Sequence, residues 1–372
     1  MLLAYPTADL YTVVDSLPEK HRALLAGRTP ITTFIQKLPF ARSKHWLYLP
    51  VMPFAIEQLD MSAYDIILSS SYYVAKGVLS SPDQVHISYV HTPVRYAWHL
   101  QHQYLKEMRL ERGFGSFLAR VMLHYMRIWD LRSAVGVDTF IANSSYVARQ
   151  VNRLYGRACK VIHPPVDLDR FYLETEKDDY YVTASRQVPY KRIDLIVKAF
   201  ARMPHLRLKV IGDGPERKRI DEAAKGHDNI EILGYQADAP LTSIVAKARA
   251  FVFAAIEDFG IAPVEAQACG TPVIALAKGG TLETVRAIGC EDPTGVYFPE
   301  QTEDAIIAAV SQFELNRELI TPQNCRKNAE KFSNDRFRCQ LLDVVSESLK
   351  VQEAASASPN LSAPVNVLSN KL

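Results

Sequence analysis

The 372-residue sequence lacks several things, and each absence excludes something. No apolar run approaches the ~20 residues a bilayer-crossing helix needs, so no membrane span is expected. There is no apolar leader either: Pro6 and Asp9 follow Met1 closely, and no signal peptide is expected. Cysteine is scarce and scattered. Cys159, Cys269, Cys290, Cys325 and Cys339 form no CxxC pair, which argues for a reducing, cytoplasmic setting and against structural zinc. A strong net charge is missing too, at +2 overall. The balance is uneven, however: residues 1–165 hold 18 Lys and Arg against 11 Asp and Glu, and residues 166–372 hold 25 against 30. The basic first half suits an anionic partner such as a phosphorylated lipid or a membrane surface, or is ordinary surface charge.

What is present is a repeating pattern of short apolar runs and longer helical stretches. Strands are expected at 8–14, 64–70, 86–90, 138–143 and 160–162, then at 180–185, 207–212, 230–234, 250–255, 272–276 and 295–298. Helices are expected at 101–132 and at 144–156, where Ser144 is a candidate N-cap and Gly156 a stop. Strands alternating with helices imply parallel sheets covered on both faces. The fold class is therefore α/β, with two Rossmann-like domains facing across a cleft. The proposed division is 1–163, 164–335, a C-terminal helix at 336–351 that crosses back to the first domain, and a disordered tail at 352–372. The proline-led, charged stretch 163–179 reads as a linker. A Rossmann domain begins with a central strand and a glycine-rich turn, and neither precedes ADLYTVV, so the first domain is expected to lack them.

The stretch EDFGIAPVE (257–265) carries the most chemistry. Glu257 follows the apolar run AFVFAAI, at the carboxyl end of a strand, where open α/β sheets bind ligands. Gly260 permits a turn, Ile261 follows it, and Pro263 suits a first helical turn, which would contain Glu265. A carboxylate beside free N–H groups can accept hydrogen bonds from a vicinal diol, while phosphate binds the N–H groups themselves. The pair suits a sugar nucleotide; alternatively Glu257 and Asp258 are solvated and Glu265 only complements the helix dipole. SRQVPYKR (185–192) adds Arg186 and Lys191, two cations able to converge on a diphosphate. Gly279 and Gly280, in KGGTLE, allow close backbone approach to a phosphate. GDGP (212–215) is a weak signal alone.

In the first half, YVHTPVRYAWHLQHQYL (89–105) holds His91, Arg95, Tyr96, Trp98, His99 and His102. Aromatics beside polar groups suit sugar rings, or pack a loop. The histidines lack an accompanying cysteine or well-spaced acid, so no metal site is expected.

Together these pieces resemble glycosyltransferase family 4, retaining enzymes of the GT-B fold, from about residue 8 to 349. The matched stretches are HTPVRYAW, FIANSSYVARQVNRLYG with VIHPPVD, SRQVPYKRID, GDGP, EDFGIAPVE, and ACGTPVIA with GGTLETV. The branch looks like bacterial mannosyltransferases of O-antigen and exopolysaccharide assembly, which use GDP-mannose. The resemblance implies that Arg186 and Lys191 hold the donor diphosphate. Glu265 would bind the ribose and Glu257 the donor sugar. Gly260, Ile261, Gly279 and Gly280 would line the donor pocket. His91 would lie near the anomeric carbon, with Arg95, Tyr96 and Trp98 on the acceptor side. His99 stands where the family would place an aspartate. The implied chemistry is retention with no cofactor and no required metal. The partners would be a nucleotide sugar and a lipid-linked glycan, with peripheral contact at the inner face of the plasma membrane and no nucleic acid. The alternatives are a catalytically weak, N-terminally truncated nucleotide-sugar-binding or scaffold protein and, further off, an epimerase on the same fold. Base, sugar, acceptor and linkage depend on loop shape, which spacing does not encode.

The segment at 109–132 interleaves basic residues with Phe, Leu, Met and Trp. Such a helix lies on an anionic membrane or packs its apolar side on the core, and the second is expected.

Overall fold

The computed structural model describes residues 1–98 and 100–357. In the first half, β1 (Tyr11–Thr12) pairs with β2 (Ile31–Thr32), and a separate four-stranded sheet follows. That sheet has the order β3 (Ile66–Ser71), β4 (Val85–Val90), β5 (Thr139–Ala142) and β6 (Cys159–Val161), all parallel. No ladder joins it to β1–β2 among the described residues. The strand expected at 8–14 shrinks to Tyr11–Thr12 because its partner is two residues long. Strand pairing, not local preference, sets the length.

The second half holds β7 (Tyr181–Ala184), β8 (Leu208–Ile211), β9 (Ile230–Gly234), β10 (Ala250–Phe253), β11 (Val273–Leu276) and β12 (Gly295–Phe298). They form one parallel sheet in the order β12-β11-β10-β7-β8-β9. The direction of winding reverses between β7 and β10, the doubly wound arrangement. Helices cover both faces, and the central strands are apolar throughout, as burial on two sides requires. One face packs Ile196, Phe200, Val310 and Phe313; the other packs Phe251, Phe253, Val264 and Cys269.

Three expectations need correction. The helix expected at 101–132 is two, Gln101–Glu107 and Phe114–Ser133. Arg109 (φ 56°) and Gly113 (φ 84°) take left-handed backbone between them, which no α-helix continues through. The supposed linker is packed: Phe171 is buried, and Arg326 donates to the carbonyls of Phe171 and Ala268 at 2.6 and 2.9 Å. The tail expected from 352 is helical through Ala357, and residues 358–372 lie outside the described residues.

The last helix, Asn334–Ala357, lays Phe337, Leu341, Val344 and Val345 against Val85, Ile87 and Tyr89 of β4 and Ile141 of β5. The chain therefore ends on the half in which it began. The helix Ser145–Tyr155 is capped as its sequence suggests: Ser144 Oγ accepts from Val147 N at 3.1 Å, and Gly156 closes it at φ 65°.

Candidate active site

A cavity of about 350 Å³ opens at the carboxyl ends of the second sheet. Ala184, Ser185 and Arg186 leave β7; Ile211, Gly212 and Asp213 leave β8; Ala262 and Glu265 come from the helix after β10. This is the switch point of the sheet, where adjacent loops diverge and leave a crevice. Its walls are mostly apolar, with two carboxylates, Asp213 and Glu265, and one guanidinium, Arg186.

Glu265 lies a turn deeper than expected. The helix begins at Ile261, directly after left-handed Gly260 (φ 85°), so Pro263 falls in its first turn as expected and Glu265 in the next. Its first turn therefore has no acid, and its N–H groups stay open to a ligand. Burial pushes the Glu265 carboxyl above the ordinary carboxylate range, and the Arg170 guanidinium opposes this.

Beside the cavity, Lys191 Nζ pairs with Glu257 Oε1, so the cation expected on a diphosphate and the acid expected on a sugar neutralise each other. Both are largely buried. Arg186 is exposed on the rim and has no ion pair among the described residues. Glu257 is bridged to Gly279, and Gly280 N donates to the Glu257 carbonyl at 2.8 Å. A side chain at Gly279 would overlap the Glu257 carbonyl, and one at Gly280 would overlap the Phe259 backbone. The two glycines let these loops touch.

In the first half His91 directly follows β4, and its Nε2 meets Ser70 Oγ at 2.8 Å. Burial holds its pKa below the usual histidine value, favouring the neutral ring. Of the three acceptor-side candidates, only Arg95 is seen reaching the second half, with Nη2 3.1 Å from Asp258 Oδ2. Trp98 instead donates to Asp130 Oδ2 at 2.8 Å, and Tyr96 packs between Tyr73 and Tyr104. Their rings serve the first-half core, because this loop folds back onto Phe114–Ser133. His99 lies outside the described residues.

Several residues of the junction were not candidates. Glu283, three residues past the glycine pair, accepts from Ser145 N at 2.7 Å and Tyr146 N at 3.0 Å. It thus caps a helix of the opposite half, where the helix dipole favours negative charge. Asp258 is buried, and burial raises its pKa against the pull of Arg95. Tyr235, 71% exposed, stands on the cavity rim directly after β9. Its place after a strand end, like that of Arg186, was the available signal. Among the described residues no group of three or more His, Cys, Asp and Glu could hold a metal ion.

Comparison with known proteins fits this architecture. Residues 10–170 match the model described as Glycosyltransferase Family 4, and residues 167–332 the one described as Glycosyl transferases group 1. A D-inositol 3-phosphate glycosyltransferase of Geodermatophilus obscurus is 30% identical over 252 residues, covering 59% of this chain and 54% of that protein. The Mycobacterium bovis protein of the same name is 34% identical over 173 residues, covering 40% and 36%. The chain thus spans about half or less of the length of these curated relatives. Sucrose-phosphate synthase from Thermosynechococcus elongatus superposes with a TM-score of 0.69 at 19% identity, covering 93% of this chain and 97% of that one. Anabaena HepE, solved with UDP-glucose, gives 0.62 at 16% identity, covering 90% and 91%. End to end the two glycosyltransferase models run from residue 10 to 332, one on each half, and with the shared fold they support a family 4 glycosyltransferase of GT-B architecture.

Proposed function

We propose that this protein is a retaining glycosyltransferase that moves mannose from GDP-mannose to a lipid-linked glycan acceptor in cell-surface polysaccharide synthesis. The observation that carries transfer from a nucleotide sugar is the cavity at the switch point, with Glu265 and Arg186 on its wall and the Lys191–Glu257 pair beside it. Glu265 accepts hydrogen bonds from the ribose diol. Arg186, Lys191 and the open N–H groups after Gly260 balance the diphosphate, in place of a metal ion. Diphosphate binding draws Lys191 from Glu257, which frees that carboxylate for the donor hydroxyls. The acceptor oxygen bonds to the anomeric carbon on the face from which the phosphate leaves, and the departing phosphate oxygen takes the acceptor proton. No carboxylate nucleophile is needed, unlike in retaining glycosidases. Neutral His91 lines the acceptor side of that centre.

The choice of GDP-mannose rests on the motif resemblance. HepE is solved with UDP-glucose, which favours a uridine donor as the second reading. Calorimetry with GDP-mannose, UDP-glucose and UDP-N-acetylglucosamine separates them, with Glu265→Ala alongside. Selective GDP-mannose binding, lost in the variant, is expected. Selective UDP-sugar binding would replace the donor assignment. A folded protein that binds none of them would favour the scaffold alternative. Turnover that survives a chelator is expected, and abolition reversed by added metal would overturn the metal-free chemistry.

A further inference from the structure

The helix Phe114–Ser133 departs from the usual surface helix. Its inner face packs as expected, with Leu123, Met126 and Trp129 buried. Its outer face is apolar as well. Phe114 is 74% exposed, Phe117 60%, Val121 50% and Ile128 56%, and Leu118 and Tyr125 lie on the same stripe. The spacing, 114, 117, 118, 121, 125 and 128, runs along one side of a helix. Six large apolar side chains in a continuous exposed row mark an interaction surface rather than scattered surface residues. The expectation that the apolar side would be absorbed by the core is thus corrected: the core takes one face, and a second apolar face is left over.

Charge decides what covers it. Lys106, Arg109, Arg112 and Arg120 are exposed around the amino-terminal end of the stripe, and none has an ion pair among the described residues. Glu111 is the one exposed acid among the described side chains of 106–125. Asp130 is fully buried against Lys76. An apolar row with unpaired cations at its end fits lipid tails beneath anionic headgroups, whereas a protein partner would need matching acids. We infer that this helix lies in the surface of an anionic lipid bilayer, with Phe114, Phe117, Val121 and Ile128 in the acyl boundary.

The placement links to the site. Arg127, on the inner side, donates to Ala97 O at 2.8 Å and Gln101 Oε1 at 2.6 Å, and Trp98 donates to Asp130 of the same helix. The loop that carries Arg95 is therefore fastened to the membrane helix, which sets the acceptor side of the cleft at the bilayer. This deepens the lipid-linked acceptor reading but does not depend on it, because vesicle binding is read without any sugar.

The test is co-sedimentation of the full chain with phosphatidylcholine vesicles, with and without phosphatidylglycerol. It compares the wild type with Phe117→Asp/Val121→Asp and with Arg109→Gln/Arg112→Gln. All substituted side chains are exposed, so thermal midpoints should match and confirm folding. Binding is expected only with phosphatidylglycerol. The stripe variant should lose it, and the arginine variant should weaken by about fivefold per charge and depend less on salt. A folded wild type that binds neither vesicle, or a stripe variant that binds as well as wild type, would overturn the inference. So would a wild-type dimer, seen by sedimentation, that the stripe variant turns into monomers, since the stripe would then cover a second copy of the chain.

Discussion

The two halves solve the same architectural problem unequally. The second half closes its sheet with six strands in one ladder and buries both faces. The first half splits its strands between a two-residue ladder and a four-stranded sheet, and borrows the last helix of the chain to cover one face. Most of the large exposed apolar side chains lie in the first half. The difference teaches that the second half covers both faces of its sheet with its own helices, while the first leaves more apolar surface in solvent. Two polar clasps hold the halves together, Arg95 on Asp258 and Glu283 on the helix starting at Ser145.

The comparison can be broken most severely at Asp130. Lys76 and Asp130 form a buried ion pair, joined by Trp98, Tyr155 and Ser133. Asp130→Ala leaves the ammonium buried and unpaired, which should cost about 3–5 kcal/mol. Calorimetric melting should show the first half unfolding early and the second half unmoved. A single unshifted transition would mean that the first half does not rely on this network.

Gly280→Ala strikes the second half. The new methyl overlaps the backbone of Phe259 and Asp258, so the two site loops must part. A cost of about 1–3 kcal/mol is expected, with loss of donor affinity, read by calorimetry. Unchanged affinity would detach this loop from the donor site.

Glu265 sharpens the comparison through pH. Its folded pKa is raised by burial, so the folded state holds the proton more tightly than the unfolded chain. The stability it contributes is full below the unfolded pKa, near 4.5, and is lost as pH rises through the raised folded value. Donor affinity should run the other way, rising over the same window as the carboxylate forms. Glu265→Gln should flatten both curves, measured by denaturant midpoint and donor titration across pH.

Glu283→Gln is the mildest. It weakens the charge at a helix start and should cost about 1 kcal/mol. Its signature is a separation of the two halves in melting, with little change in donor affinity. One cooperative transition, unchanged, would mean that the clasp adds nothing.

Much of this was legible in the sequence. The strands of the second half fall within a residue or two of their expected positions, because each is a buried apolar run bounded by glycine, proline or charge. Ser144 and Gly156 announced their helix. The first half was read less well. The strand at 8–14 had the pattern but not the neighbour, and the break at Arg109–Gly113 lies inside an otherwise helical stretch. Trp98 and Tyr96 were read as acceptor-side candidates, and that their half-buried rings also pack on the first-half core could not be seen from residue type.

The sequence alone determined the α/β alternation, the strand ends that carry Arg186 and Glu257, and the glycines at 279 and 280, because periodicity and backbone freedom are local properties. Tertiary structure decided that Lys191 rests on Glu257, that Glu283 crosses to the other half, and that Phe114–Ser133 keeps a second apolar face in solvent. Those facts depend on which surfaces meet across hundreds of residues. A spacing rule sees neighbours on one helix or strand and not the partner across the cleft.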